Sequence, residues 1–186
     1  MTAINFLSHD AGPENVRMTM AATLAEIDLT DHNKLSLFKY GASEPLLRLL
    51  TNDDIEVKKV AVRSLQNLSN VPENGLQMIR EGAVGPLFEI LYRHSLSSPR
   101  LHEQVAAIIM NLAIATTCQE ANREQISLLE SEEDIFKFFC LISLTGPEIQ
   151  KSILLTFLAM CQSPFGVKIR AELRRVCNPY IHGTFR

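Results

Sequence analysis

The chain has 186 residues, 46% of them hydrophobic and 21% charged, and a net charge of −3. Those values exclude a disordered or collagen-like polypeptide, and a weakly acidic chain lacks the global basic field of a non-specific nucleic-acid binder. No stretch approaches the roughly 18 uninterrupted apolar residues that a membrane span needs. Cys118, Cys140, Cys161 and Cys177 include no Cys-x-x-Cys pair, so no compact disulfide framework is expected. The opening Met1-Thr-Ala-Ile-Asn-Phe-Leu lacks the basic start of a signal peptide. The expectation is a reduced intracellular chain, placed in the cytoplasm with the nucleus also open.

Every predicted element is a helix. Gly12-Pro13-Glu14 starts the first, because proline in a first turn gives up an N–H that has no intrahelical acceptor. Short helices over 33–40 and 44–51 follow, with Gly41 between them where a left-handed residue is needed. Over 55–69, Ile55, Val57, Val60, Ala61, Leu65 and Leu68 recur at helical steps behind an N-cap at Asp53 or Asp54. The sequence then repeats itself, with helices over 73–81 and 84–94 separated by Gly82. Further helices start at Ser98-Pro99 and at Gly146-Pro147-Glu148, the latter running over 147–161. A basic helix near 166–175 follows.

A shift of 41 residues aligns 12–50 with 53–91 and matches Leu24 to Leu65, Asn33 to Asn74, Gly41 to Gly82, Ala42 to Ala83, Pro45 to Pro86 and Leu46 to Leu87. A third copy lies at a shift of 44, where Ile109-Met-Asn111-Leu112 replaces Leu65-Gln-Asn67-Leu68. A fourth lies at a shift of 46, where Leu155-Thr-Phe157-Leu158 takes that place. Each unit reads as a short helix, a glycine turn, a second helix and a longer third helix. Stacked triplets of this period form a right-handed solenoid in which each repeat is buried only against its neighbours.

The pattern Gly-Ala-x-x-Pro-Leu-x-x-(Ile/Leu)-Leu, then (Asn/Asp)-Asp-x-x-Val-x-x-x-Ala-x-x-x-Leu-x-Asn-Leu, resembles the armadillo repeat of beta-catenin, importin alpha and plant U-box proteins. It is met best by 82–91 and 53–68, then by 41–50 and 102–113, and the resemblance covers 12–175. The run Glu81-Gly-Ala-Val-Gly-Pro-Leu-Phe-Glu-Ile-Leu91, with Gln66-Asn-Leu-Ser69, is similar to the armadillo region of plant U-box ubiquitin ligases. The expected fold is an all-α, right-handed armadillo-type helical solenoid of about three recognisable repeats with incomplete ends. It divides into a tail at 1–11, the repeat domain at 12–176 and a tail at 177–186.

No catalytic or metal constellation is expected. His9, His32, His94, His102 and His182 form no HxH, HExxH or His-Cys pair at ligand spacing, and all but His102 fall in loops or tails. Cys140 and Cys161 lie on apolar helix faces and read as small buried hydrophobes. There is no phosphate loop or Gly-x-Ser-x-Gly, and no cofactor is called for. The Asn67-Leu-Ser69 sequon sits on a core helix and is discounted. The Cys-Pro-Ile type signature of a U-box is absent, so the resemblance implies recognition without ligation.

The resemblance implies a concave groove lined by the third helices, where the family's asparagine bonds the backbone of an extended peptide. That position reads Glu26, Asn67, Asn111 and Phe157 here, and the position four residues earlier reads Ala22, Arg63, Ala107 and Ile153. Importins carry a tryptophan at that earlier position, and this chain has none, which disfavours the alternative of a nuclear-transport-type receptor for basic peptides. The expected protein-binding groove is Lys59, Arg63, Gln66, Asn67, Asn70, Gln104, Met110 and Asn111, with Asn67 and Asn111 equally open to a structural role. The acids Glu130, Glu132, Glu133 and Asp134 suit a helix start, and Lys168, Arg170, Arg174 and Arg175 form a basic stretch, either a solvated face or a contact for an anionic partner or lipid head group. Ile4, Phe6 and Leu7 and the run from Val176 to Arg186 do not complete a repeat. The chain therefore reads as cut from a longer array, stablest in 41–116, with self-association through uncapped ends expected.

Overall fold

The computed structural model describes residues 14–94, 98–164 and 166–177. Ile4, Phe6, Leu7, Pro13 and both expected tails, save Cys177 at the end of the last helix, lie outside them. Ten helices occupy the described chain: α1 Glu14–Glu26, α2 Asp31–Lys39, α3 Ser43–Leu50, α4 Ile55–Ser69, α5 Pro72–Arg80, α6 Val84–His94, α7 Pro99–Thr117, α8 Glu132–Leu144, α9 Pro147–Gln162 and α10 Val167–Cys177. No strand is present among the described residues.

Local chemistry sets the helix ends. Thr30 Oγ1 accepts from the Asn33 N–H at the start of α2, and the Asp54 carboxylate accepts from the Glu56 N–H at 2.8 Å at the start of α4. Pro72, Pro99 and Pro147 open α5, α7 and α9. The turns after α2 and α5 require a left-handed residue, and Gly41 (φ 86°) and Gly82 (φ 81°) supply it. Around them, Ala42 and Ala83 donate back to the Leu37 and Met78 carbonyls, closing each helix.

The helices stack as successive repeats. α1 packs on α4, α4 on α7 and α7 on α9, making a row of third helices, while α2 packs on α5 in a row of first helices. Between the rows lies one continuous core, holding Phe38, Leu46, Leu50, Leu65, Leu68, Leu87, Leu91, Ile108, Ile109 and Leu112. Gly75 fits α5 against α7, since a Cβ there would stand 3.0 Å from the Ala115 Cβ.

The fourth unit departs from the expected triplet. No first helix forms; 118–131 is a loop that carries Leu128 and Leu129 into the core. Its organiser is Asn122, fully buried, which donates to the Thr116 and Ile126 carbonyls and accepts from the Ile126 N–H at 2.7 Å. Asn74 does the parallel work one repeat earlier, donating to the Leu68 and Lys34 carbonyls. Gln125, at φ 58°, is the non-glycine residue with positive φ among the described residues. The register of α9 also differs from the shift of 46. Ile153, Thr156 and Met160 turn inward, whereas Leu155 and Leu158 face solvent.

Two charge clusters that look separate in the sequence prove to be partners. Lys168 pairs with Glu130 at 3.0 Å, and Arg175 pairs with Glu132 and Glu172 at 3.0 Å each. These contacts tie α10 to the start of α8, where Ser131 and Asp134 form a capping box. Arg170 turns back to cap α9, donating to the Cys161 and Ser163 carbonyls. Most of the basic stretch is thus engaged within the chain.

Candidate functional site

The exposed side of the row of third helices holds a depression of about 480 Å³. The end of α1 and the turn after it supply Ala25, Glu26, Ile27 and Asp28. α4 supplies Arg63, Gln66 and Asn67, and α7 supplies Arg100 and Gln104. Three consecutive third helices therefore meet at one site. Their periodicity puts them there: Arg63, Gln66 and Asn67 share a face of α4, and Arg100 and Gln104 are one turn apart on α7.

The amide of Asn67 holds the structure together. Its Nδ2 donates to the Leu24 and Ile27 carbonyls, both at 2.9 Å, securing two carbonyls near the C-terminal end of α1. Both amide hydrogens are spent, which leaves its carbonyl oxygen as an acceptor for a ligand. Asn111 donates to Ser69 Oγ at 2.9 Å, and Ser69 in turn donates to the Gln66 carbonyl. Beside Asn67, the Arg63 guanidinium stands 3.5 Å from the exposed Glu26 carboxylate. That geometry and exposure make a weak, exchangeable ion pair.

Of the eight residues expected in the groove, the depression gathers Arg63, Gln66, Asn67 and Gln104. Lys59 lies outside it, bonded to Glu56 at 2.7 Å. Asn70 accepts from the buried Lys34 ammonium at 3.1 Å, and Met110 is packed in the core. Arg100 and the Ala25–Asp28 turn are lining residues that sequence reasoning missed. Arg100 carried a signal, because it stands four residues before Gln104 on one helix face.

The titratable groups with shifted pKa values lie outside this depression. Tyr92 donates to the Lys137 carbonyl at 2.9 Å, joining α6 to α8; burial, then the neighbouring Cys140, pushes its hydroxyl up to about 12. Burial lowers the His102 pKa, partly offset by Glu103, and the Nε2 of that ring has no hydrogen-bond partner. Burial raises the Cys161 thiol, against the pull of Arg170. Among the described residues no group of three or more His, Cys, Asp or Glu could hold a metal ion. No single described helix is long and apolar enough to cross a membrane.

This architecture is that of an armadillo-type helical solenoid, a fold that generally serves as a protein-binding scaffold. Residues 30–70, spanning α2 to α4, match the family model of the armadillo/beta-catenin-like repeat. Over 156 residues the chain is 26% identical to U-box domain-containing protein 44 of Arabidopsis thaliana, covering 82% of this chain and 19% of that protein. The chain thus spans about a fifth of the length of that relative. Among solved structures, a designed armadillo repeat protein superposes with a TM-score of 0.61 at 19% identity, covering 87% of this chain and 64% of its own. An engineered protein superposes with a TM-score of 0.63 at 20% identity, covering 98% of this chain and 43% of its own. These likenesses show the fold.

Proposed function

We propose that the chain recognises a linear segment of a partner protein across its third helices, as the recognition part of a ubiquitin-ligase pathway. The observation that carries this reading is the meeting of α1, α4 and α7 at one open depression whose polar side chains retain unused bonding capacity. Arg63 and Arg100 supply donors, Gln66 and Gln104 offer both donor and acceptor, and Asn67 offers an acceptor. That set suits the alternating N–H and C=O groups of an extended backbone. The wall carries Glu26 and Asp28 as well as Arg63 and Arg100, so its charge gives no support to a basic-peptide receptor, and the chain has no tryptophan for lysine stems. The likeness to a U-box protein supports the ligase pathway, with ligation itself supplied by another polypeptide segment.

Site-specific photo-crosslinking tests the reading. A benzophenone amino acid at Gln66 should capture a cellular partner, while the same probe at the exposed Phe136 of α8 should not. Capture only from Phe136 would overturn the groove assignment. Recovery of ubiquitin-conjugating components among partners captured from Gln66 would support the pathway.

A further inference from the structure

The last helix is fastened differently from the rest of the stack. α7 buries eleven residues along its length, from Leu101 to Thr116. Among the described side chains of α10, Ile169 is buried and Leu173 partly so, whereas Val167 at its start is exposed. α10 packs on α8 and α9, and an eleven-residue helix is marginal in water without such packing. Charge supplements these few apolar contacts. Lys168 and Arg175 reach Glu130 and Glu132 at 3.0 Å through exposed side chains, and Arg170 holds the Cys161 and Ser163 carbonyls. Exposed ion pairs contribute little and are screened by salt.

We propose that α10 is a strap that opens and closes as a unit while the stack beneath it stays folded. Its pivot is the turn before it, where the Gly166 N–H donates to the Ser163 carbonyl at 3.0 Å. A Cβ on Gly166 would overlap the Met160 carbonyl oxygen, so this turn is packed tightly on the end of α9 and gives the helix a fixed point to swing from. Its latch is the pair of contacts to the start of α8. Lys168 and Glu130 also line a cleft of about 600 Å³, together with Ile79, Val84, Phe88 and Lys137. With the strap closed, the Lys168–Glu130 pair is part of the wall of that cleft. With it open, Lys168 leaves the wall and Glu130 loses its counterion. The cleft therefore has two forms, and the strap sets which is populated. A segment held by few buried apolar contacts and by exposed polar ties is the kind that opens below the global unfolding free energy.

Hydrogen exchange of the full chain, read by mass spectrometry at 20 mM and 500 mM sodium chloride, tests the strap. Peptides from α10 should exchange at least tenfold faster than those from α7. They should exchange at least threefold faster at the higher salt, with α7 unchanged. Lys168→Glu should bring the high-salt rate to low salt, and adding Glu130→Lys should return it to within twofold of the parent, because the exchanged charges re-form the pair. Both side chains are exposed, so unaltered protection of α4 and α7 shows that the variants fold. Exchange of α10 in step with α7 would mean no independent opening and overturns the proposal. Exchange insensitive to salt, or a Lys168→Glu effect that Glu130→Lys leaves in place, removes the latch and also overturns it.

Discussion

Asn122 offers the sharpest test of the structure, because the fourth repeat has no first helix and depends on one side chain to shape the loop that replaces it. Asn122→Ala removes two donated bonds, to Thr116 O at 2.9 Å and Ile126 O at 2.8 Å, and one accepted bond, from Ile126 N at 2.7 Å. Each bond contributes about 0.5–1.5 kcal/mol net, and a buried group left unpaired costs about 1–3 kcal/mol. Asn122 is fully buried, but the loop is on the surface and water can enter once the amide is gone. The expected destabilisation is therefore about 2–4 kcal/mol, near three bonds' net value. Urea unfolding followed by circular dichroism measures it. Hydrogen exchange should quicken across 119–131 while α4 stays protected. A shift below about 0.5 kcal/mol, the range of ordinary surface substitutions, would refute the organising role.

Other substitutions probe the remaining features. Leu65→Ala, in the fully buried heart of α4, should cost about 2–5 kcal/mol in unfolding free energy; a shift under about 0.5 kcal/mol would place Leu65 on the surface. Gly82→Ala meets no neighbouring atom, yet imposes φ 81° on a Cβ, so it should cost about 1–2 kcal/mol by thermal unfolding. Burial holds the His102 pKa below its ordinary 6.5, so the folded state binds this proton less readily than the unfolded one. Its contribution is then complete above pH 6.5, declines as pH falls towards the folded value, and levels off below it. His102→Leu should reduce the loss of stability between pH 7.5 and pH 5; an unchanged loss would show that other groups carry it.

Much of the architecture was legible because it depends on local chemistry. Gly41 and Gly82 sit where a helix must stop and turn, Pro99 and Pro147 sit where an N–H is dispensable, and 55–69 has a single apolar face. The fourth unit was misread for an equally local reason. Ile153, Leu154, Leu155, Phe157 and Leu158 are almost continuously apolar, so periodicity favours no face, and the packing of α7, α8 and α10 decides which side turns inward. The site was legible in part. Helical spacing brings Arg63, Gln66, Asn67 and Gln104 together, but Met110 is one residue from Asn111 and so rotates by about 100° into the core. Nothing in the spacing reveals that the Asn67 amide is committed to α1. Nor could it show that Glu130 and Glu132 are the counterions of Lys168 and Arg175, a pairing made only when α10 folds back.

Three asparagine amides share a direction. Asn67 donates to Leu24 and Ile27, Asn74 to Lys34 and Leu68, and Asn111 to Ser69. Each therefore reaches towards chain that a ribosome has already released, and N-terminal segments fold first during synthesis. A newly emerged helix meets its acceptors in place and can be locked down before the next unit exists. The array can thus be assembled in the order of translation, each repeat serving as a finished template for its successor, with no need to wait for the whole polypeptide.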